Sequence, residues 1–468
     1  NEWYLLRLAQ ITKMGARYDE MLETWQKLIR LKPQRPEYYS ELAQAYVALG
    51  RLPEALSTLD SLEQITGLSE ELSMQKFNLH LLNNDATSAI AQVEKLAAAF
   101  PFEMRYQAML AELYMKNGDT AKALRQYELM RETDPADPNV VMSLAEFYKD
   151  LGEEDKAFDL LLEAFANPAL DVETKVQVMV LWFQGATFSE EIDQKSERIA
   201  NTLLATHPDS PRGHQLLGDI FLRRSDYEKA REQFVLAATM EPNNYPVWET
   251  LLFTDIQLGD YDMLGKHATE ALTYFPEQPL LYLFDGYAKY QSARYEAALK
   301  AFETGRRLVV NNDRLLGEFF SSIGDTQHKL NNHEASDAAY EKALAINPAN
   351  ATVLNNYAYY LALRRHKLDK AKEMSARSLE FQPENPSFLD TYAWVLYKLE
   401  QYDQALEYIL KALKASDKPN PTLIEHYGDI LYKLGRKDEA WKQWKEAKAA
   451  GEGSKLLERK AKEGKLYE

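Results

Sequence analysis

Residues 104–137, MRYQAMLAELYMKNGDTAKALRQYELMRETDPAD, contain the pattern that decides the fold of this chain. Gly118 separates two helix-forming runs, and its tolerance of positive φ suits it to end the first helix. Ala111 and Ala123 are small residues, as required where two antiparallel helices cross closely. Pro135 stops the second helix because it has no backbone N–H to donate. The stretch therefore predicts one antiparallel helical hairpin.

The same order of features returns along the chain with a period of 34 residues. Three residue classes share this spacing: Ala55, Ala89, Ala123 and Ala157; Pro208, Pro242 and Pro276; Gly118 and Gly152. Later copies keep the small residues, the turn and the stop in order as far as Ala440. A period of this length over a whole chain indicates stacked helical hairpins, each of which covers the apolar face of its neighbour.

This pattern resembles the tetratricopeptide repeat (TPR) family, and the resemblance covers nearly all 468 residues. It implies an all-α fold, a TPR α-solenoid in which about 13 antiparallel helix pairs form a right-handed superhelix. We expect a polar C-terminal capping helix from Lys455 to about Lys462, with Ser454 as its cap. The resemblance also implies that the first helix of each pair lines a concave face where ligands bind.

Two irregularities divide the predicted array. Between Asn167 and Pro208 the unit loses its small pair and turn glycine, and Thr187-Phe188-Ser189-Glu190 replaces the usual tight connection. Between Gly305 and Gly317 we expect extra residues in the link between hairpins, through Val309-Val310-Asn311-Asn312. The predicted blocks are 1–166, an N-terminal block; 167–310, a central block with a degenerate repeat at 167–208; and 311–468, a C-terminal block with the capping helix.

The composition excludes several classes of function. A net charge of −17 argues against a nucleic-acid partner, because phosphate binding depends on Lys and Arg. The absence of cysteine excludes disulfides, thiolate metal sites and cysteine nucleophiles. His328 and His333 lie five residues apart in a predicted turn, a spacing that does not establish a metal site. With no catalytic motif and no transmembrane segment recognisable, we predict a protein that is not an enzyme and uses no cofactor or metal.

The phase of the repeat, combined with the family's pattern of groove positions, predicts a candidate partner-binding groove. Its members form an aromatic stripe with polar neighbours on successive first helices: Phe253, Tyr287, Tyr290, Asn355, Tyr359, Asp390, Trp394, Tyr397, Lys398, Glu425, Asp429, Tyr432 and Lys433. Aromatic side chains offer a large, rigid contact area, which suits the capture of a protein or peptide. The alternative, in which several of them pack between successive first helices, stays open at this point.

Two segments, Asn355–Leu361 and Leu389–Tyr397, resemble one bacterial subgroup of the family, whose members are often anchored at the envelope of Gram-negative bacteria, many as outer-membrane lipoproteins. This resemblance implies a periplasm-facing interaction scaffold that binds proteins of a secretion, outer-membrane assembly or cell-surface complex. Because the chain begins at Asn1 with a helix-like sequence and no leader, we expect a signal peptide or lipid anchor upstream. Two alternatives remain: a cytoplasmic adaptor, and the regulatory region of an enzyme whose catalytic domain lies elsewhere.

Overall fold

The computed structural model describes residues 1–184 and 189–468, and within these ranges every regular element is a helix. The predicted all-α fold is therefore confirmed. The helices are α1 (Glu2–Met14), α2 (Tyr18–Leu31), α3 (Pro36–Ala48), α4 (Leu52–Thr66), α5 (Glu70–Leu82), α6 (Ala86–Ala99), α7 (Met104–Lys116), α8 (Thr120–Thr133), α9 (Pro138–Asp150), α10 (Glu154–Phe165), α11 (Val172–Trp182), α12 (Glu190–Thr206), α13 (Pro211–Arg223), α14 (Tyr227–Met240), α15 (Tyr245–Leu258), α16 (Tyr261–Tyr274), α17 (Pro279–Gln291), α18 (Tyr295–Leu308), α19 (Asp313–Lys329), α20 (His333–Ile346), α21 (Ala351–Leu363), α22 (Leu368–Phe381), α23 (Pro386–Lys398), α24 (Tyr402–Ala415), α25 (Pro421–Lys433), α26 (Lys437–Ala450) and α27 (Leu457–Glu463).

In the described ranges, helices α1 to α26 form 13 successive pairs, and α27 follows the last pair. They belong to two compact units, Asn1–Pro208 and Asp209–Glu468. The boundary falls at the end of the repeat that the sequence marks as degenerate. The division into three blocks stays a prediction. Among the described helices, none is both long and apolar enough to cross a membrane.

In the hairpin turns that the structure describes in full, at least one residue adopts a positive φ. Gly118 takes this role between α7 and α8 with φ of 81°, and the Asp119 side chain then caps α8 by accepting a hydrogen bond from the backbone N–H of Lys122 at 3.2 Å. Other hairpins place a residue with a side chain in the same conformation, such as Ser225 at 59° and Ala293 at 56°. The packing of the two helices therefore determines the turn, and glycine is only the least strained residue for it.

Small residues on the first helix of a hairpin allow a large side chain of the second helix to pack against its backbone. Ala111 and Ala123 are fully buried, as the repeat predicts. At four positions, a glycine of the first helix is followed 16 positions later by an aromatic residue that packs against it, and a Cβ added to Gly218 would lie only 2.8 Å from Phe234 Cε1. The other pairs of this kind are Gly286 with Phe302, Gly324 with Tyr340, and Gly428 with Trp444.

The two predicted irregularities differ in outcome. Thr187 and Phe188, in the proposed replacement connection, lie outside the described residues, whereas the Ser189 side chain caps α12. The expectation of extra residues in the link through Val309–Asn312 is wrong. This link has the same four-residue length as the one between α16 and α17, and the additional residues lengthen α19 to 17 residues, one turn more than the 13 of α17.

The expected capping helix is present as α27, although two of its details differ from the prediction. The helix begins at Leu457 instead of Lys455, and Ser454 lies in the turn before it, where its hydroxyl accepts a hydrogen bond from the Leu456 N–H at 3.2 Å and donates one to Glu425 Oε1 at 2.5 Å. The helix is also less polar than expected, since Leu457, Lys460 and Ala461 are buried against the last hairpin. The physical reason is their spacing, which places all three on one face of a helix.

Candidate functional site

The first helices α15, α17 and α19 together form an open, mainly apolar groove in the second compact unit, with a volume of about 530 Å³. Its lining residues are Phe253, Ile256, Leu280, Leu283, Phe284, Tyr287, Asn312, Arg314, Leu315, Glu318 and Ser322. Phe253 and Tyr287 were predicted to face a groove, and the structure brings them together in this one. The phase of the repeat did not predict the aliphatic residues of this lining.

A helical stripe on α17 forms the centre of this apolar groove. Leu280, Leu283, Phe284 and Tyr287 follow the i, i+3, i+4, i+7 spacing of one helix face, and this spacing is the sequence signal that would have identified them. Phe253 packs edge-to-face against Phe284 with ring centroids 5.0 Å apart, yet 47% of its surface remains exposed. The groove therefore presents an apolar surface that the described residues leave exposed.

A second, polar pocket of about 320 Å³ lies between the first helices α21, α23 and α25. It brings together the predicted residues Asn355, Tyr359 and Asp390. Asp390 Oδ1 lies 2.8 Å from His426 Nδ1, and Asn355 Oδ1 is buried without a hydrogen-bond partner in the structure. Burial, together with the nearby charges of Asp390 and Glu425, raises the pKa of Tyr359 to about 12, so its hydroxyl stays protonated at neutral pH.

The centre of the predicted aromatic stripe is packed inside the protein. Trp394 and Tyr397 are only 6% and 2% exposed, and their rings stack at 4.8 Å. His426 also stacks on Trp394, with ring centroids 3.9 Å apart, and the Lys398 ammonium lies 4.3 Å from the Trp394 ring centroid. Tyr290 likewise packs against a neighbouring ring, that of Tyr295 at 5.5 Å. These aromatic side chains therefore present little surface to a partner in this structure.

The predicted polar groove residues at the end of the chain bind residues of the chain itself. Lys460 Nζ donates to Glu425 Oε1 at 2.9 Å and to Asp429 Oδ2 at 2.6 Å, and all three side chains are almost completely buried. Tyr432 packs against Trp444 with ring centroids 5.6 Å apart. Lys433 lies 3.4 Å from a carboxylate oxygen of Glu468. Sequence reasoning missed Lys460 and Glu468 as partners of these positions.

The histidine pair considered for a metal does not form a ligand cluster. The rings of His328 and His333 are 5.5 Å apart, and His328 stacks on Tyr360 at 3.7 Å. Burial lowers the pKa of His328 to about 4. Within residues 1–184 and 189–468, no group of three or more histidine, aspartate or glutamate side chains is arranged to hold a metal ion.

Comparison with known families identifies the repeat. One tetratricopeptide repeat model matches residues 317–450, a second matches 74–138, 108–169 and 194–245, and a third matches 36–61. Together the three cover well over half of the chain. The chain belongs to the tetratricopeptide repeat family. TPR arrays form scaffolds for protein–protein interaction, and their fold is typically non-catalytic.

Two curated relatives each align with less than half of this chain. A TPR repeat-containing protein of Pseudomonas aeruginosa is 25% identical over 204 residues, which is 43% of this chain and 33% of that protein. A BBSome complex member of Bos taurus is 23% identical over 218 residues, 47% of this chain and 41% of that protein. The alignments thus span well under two thirds of the length of either relative.

Solved structures resemble this TPR chain with low sequence identity. A chain of the APC/C heterotetramer Cut9–Hcn1 has a TM-score of 0.46 and 13% identity, with coverage of 100% of this chain and 96% of that one. A tetratricopeptide repeat protein from Parabacteroides merdae has a TM-score of 0.45 and 18% identity, with coverage of 54% and 97%. Yeast Tom70 has a TM-score of 0.36 and 14% identity, with coverage of 98% and 94%. No functional conclusion follows from similarity at this level.

Proposed function

We propose that this TPR protein is a non-enzymatic scaffold and that the apolar groove of α15, α17 and α19 binds an apolar segment of a partner protein. The observation that carries the proposal is the half-exposed Phe253 ring above the apolar stripe of α17. Covering such a ring removes a large apolar area from water, and aromatic anchors in a pocket commonly dominate the free energy of binding. Arg314 and Glu318 on the exposed rim provide charges of both signs to orient the bound segment.

The groove proposal predicts that Phe253→Ser combined with Leu283→Ser lowers partner recovery about tenfold or more, because both apolar anchors are lost. The measurement is affinity purification of the full chain from cells that express it naturally, with mass-spectrometric quantification of co-purifying proteins. A matched control combines Phe381→Ser with Leu410→Ser, two exposed apolar residues on the second helices α22 and α24. Equal recovery with both double variants, each verified as folded by circular dichroism, would contradict this assignment of the groove.

We place the scaffold at the periplasmic side of the bacterial cell envelope, within a secretion, outer-membrane assembly or cell-surface complex. The support for this location is the resemblance of Asn355–Leu361 and Leu389–Tyr397 to envelope-associated TPR proteins. Fractionation of the natively expressed protein tests it, and we expect release with the periplasm or recovery with the outer membrane. Recovery in the cytosol alone would favour a cytoplasmic adaptor, and a catalytic domain in the full reading frame would favour the regulatory part of an enzyme.

A further inference from the structure

The residues that follow α27 contact the C-terminal ends of α21, α23 and α25, which are the first helices of the last three hairpins. Gly464 ends α27 in a left-handed conformation with φ of 64°, and Leu466 then packs against the apolar cluster of the last hairpin, which includes Ile424 and Leu431. Glu468 lies beyond it, partly exposed. We call residues 464–468 the tail. Its main anchor is the preceding helix, and its own contacts lie near the surface.

The Glu468 carboxylate is held by three side chains that come from different parts of the chain. The Tyr397 hydroxyl donates a hydrogen bond to Oε1, the Arg365 guanidinium donates to Oε2 at 2.8 Å, and the Lys433 ammonium lies 3.4 Å from Oε1. Arg365 lies in the turn after α21, Tyr397 on α23 and Lys433 at the end of α25. Three consecutive hairpins thus direct donors to one carboxylate.

The electrostatics of this cluster favour an anion. Burial alone would raise the pKa of Glu468, but the hydrogen bond from Tyr397 and the positive charges of Lys433, Lys398 and Arg365 lower it. These three cations lie close together in a chain whose net charge is −17, so the local charge here is opposite in sign to that of the whole chain. The cluster therefore favours a carboxylate at the position that Glu468 occupies.

We infer that Arg365, Tyr397 and Lys433 form a recognition site for the glutamate side chain of an acidic partner segment, and that the tail of this chain occupies the site in competition with that partner. The tail shows the chemistry that the site accepts: a glutamate preceded by an apolar and an aromatic residue, Leu466 and Tyr467. This site is separate from the apolar groove and requires no ligand there.

The tail is weakly enough held for a partner to displace it. Arg365 is half-exposed and Lys433 about one-third exposed, and ion pairs of this kind contribute little net stability. Because Gly464 joins the tail to a helix that is anchored by buried residues, displacement of residues 464–468 leaves that helix in place. The chain's own glutamate nonetheless competes at high effective concentration, since its linker to α27 is short. The apparent affinity for a partner glutamate is reduced by the fraction of molecules in which the site is closed.

The test uses the full chain and a fluorescent peptide, Gly-Lys-Leu-Tyr-Glu, amidated so that only the glutamate side chain carries a carboxylate. We expect Glu468→Gln to bind this probe about fivefold more tightly than the parent, because the competing carboxylate is gone. Adding Arg365→Ala and Lys433→Ala to Glu468→Gln should abolish binding. Adding Arg436→Ala and Lys411→Ala instead should leave it unchanged, since Arg436 pairs with Glu439 and Lys411 with Glu407, away from Glu468.

Fluorescence anisotropy gives the affinities, and thermal unfolding verifies that each variant is folded. A probe that binds the parent and Glu468→Gln equally, or does not bind Glu468→Gln, would overturn the inference. So would equal binding of a probe with Gln in place of Glu, or binding that survives the loss of Arg365 and Lys433. These outcomes are independent of Phe253 and Leu283, so failure here and failure of the apolar groove are distinguishable.

Discussion

Replacement of Lys460 by methionine is expected to destabilise the last hairpin by about 3–5 kcal/mol, although methionine fits the same volume. Lys460 is the only cation in contact with Glu425 and Asp429 in the described structure, and its loss leaves two buried carboxylates without a counterion. The remaining donors are neutral. Trp444 Nε1 donates to Asp429 Oδ1 at 2.8 Å, and the backbone N–H and hydroxyl of Ser454 donate to Glu425. Chemical denaturation, with hydrogen exchange resolved for α25 to α27, measures the loss.

A matched lysine and a charge-neutral rescue make the Lys460 prediction specific. Lys448→Met removes the exposed pair with Glu458 and should change the free energy of unfolding by no more than about 0.5 kcal/mol. Adding Glu425→Gln and Asp429→Asn to Lys460→Met should recover most of the loss, because the amides still accept from Ser454 and Trp444 without a buried charge. Similar losses for Lys460→Met and Lys448→Met would show that the buried cluster is not a stabilising contact.

The effect of Lys460→Met should depend on pH with a defined sign. In the parent, burial of Glu425 is outweighed by the hydrogen bonds from Ser454 and Lys460, and its pKa is lowered from 4.5. Its contribution to stability is therefore present above pH 4.5 and is lost as the pH falls through the lowered pKa. Without Lys460, only burial and the hydrogen bonds from Ser454 act on Glu425. Protonation at lower pH then removes the unpaired negative charges and stabilises the variant. The difference in stability between parent and variant should shrink from pH 7 to pH 4.

The hairpins could be predicted from sequence because the features that determine them are local. Gly118, Asp119 and Pro135 end or begin helices through their own backbone and side-chain chemistry. The turn residues Ser225 and Ala293 were less predictable, because neither type marks a left-handed conformation, and the packing of the flanking helices imposes it. The greater length of α19 could not be predicted either. An insertion of one turn leaves the helical phase nearly unchanged, so the sequence pattern fits extra residues in the link and extra residues in the helix equally well.

The groove was predictable only in part, because the repeat phase gives the direction of a side chain and not its neighbours. Phe253 and Tyr287 do line an open groove, whereas Trp394 and Tyr397 are buried and stack on each other. The contact between Arg365 and Glu468 joins residues 103 positions apart, a separation that no local pattern encodes. The burial of Lys460 could have been predicted, since Leu457 and Ala461 lie on the same helix face at helical spacing.

Gly286→Ala is expected to destabilise the protein by about 2 kcal/mol, although alanine is the better helix former by about 1 kcal/mol. Gly286 lies in the middle of α17, and a Cβ there would come within 2.6 Å of Phe302 Cδ1 and closer still to Cε1. Phe302 is only 1% exposed, so its rigid ring has no free space into which to move. Overpacking should therefore outweigh the gain in helix propensity, as measured by the free energy of unfolding in urea.

Gly317→Ala, in the neighbouring first helix α19, should change the free energy of unfolding in the opposite direction. Gly317 lies within α19, and an added Cβ would meet only Ile346 Cγ2 at an ordinary 3.8 Å, so we expect stabilisation by about 0.5–1 kcal/mol from propensity alone. Combining Gly286→Ala with Phe302→Leu should cost less than the sum of the two single changes, by about 1 kcal/mol or more, because the smaller side chain leaves room for the methyl group. If Gly286→Ala stabilised the protein as much as Gly317→Ala, the close approach of α17 and α18 at Gly286 would be refuted, and with it the packing of Phe302 against that glycine.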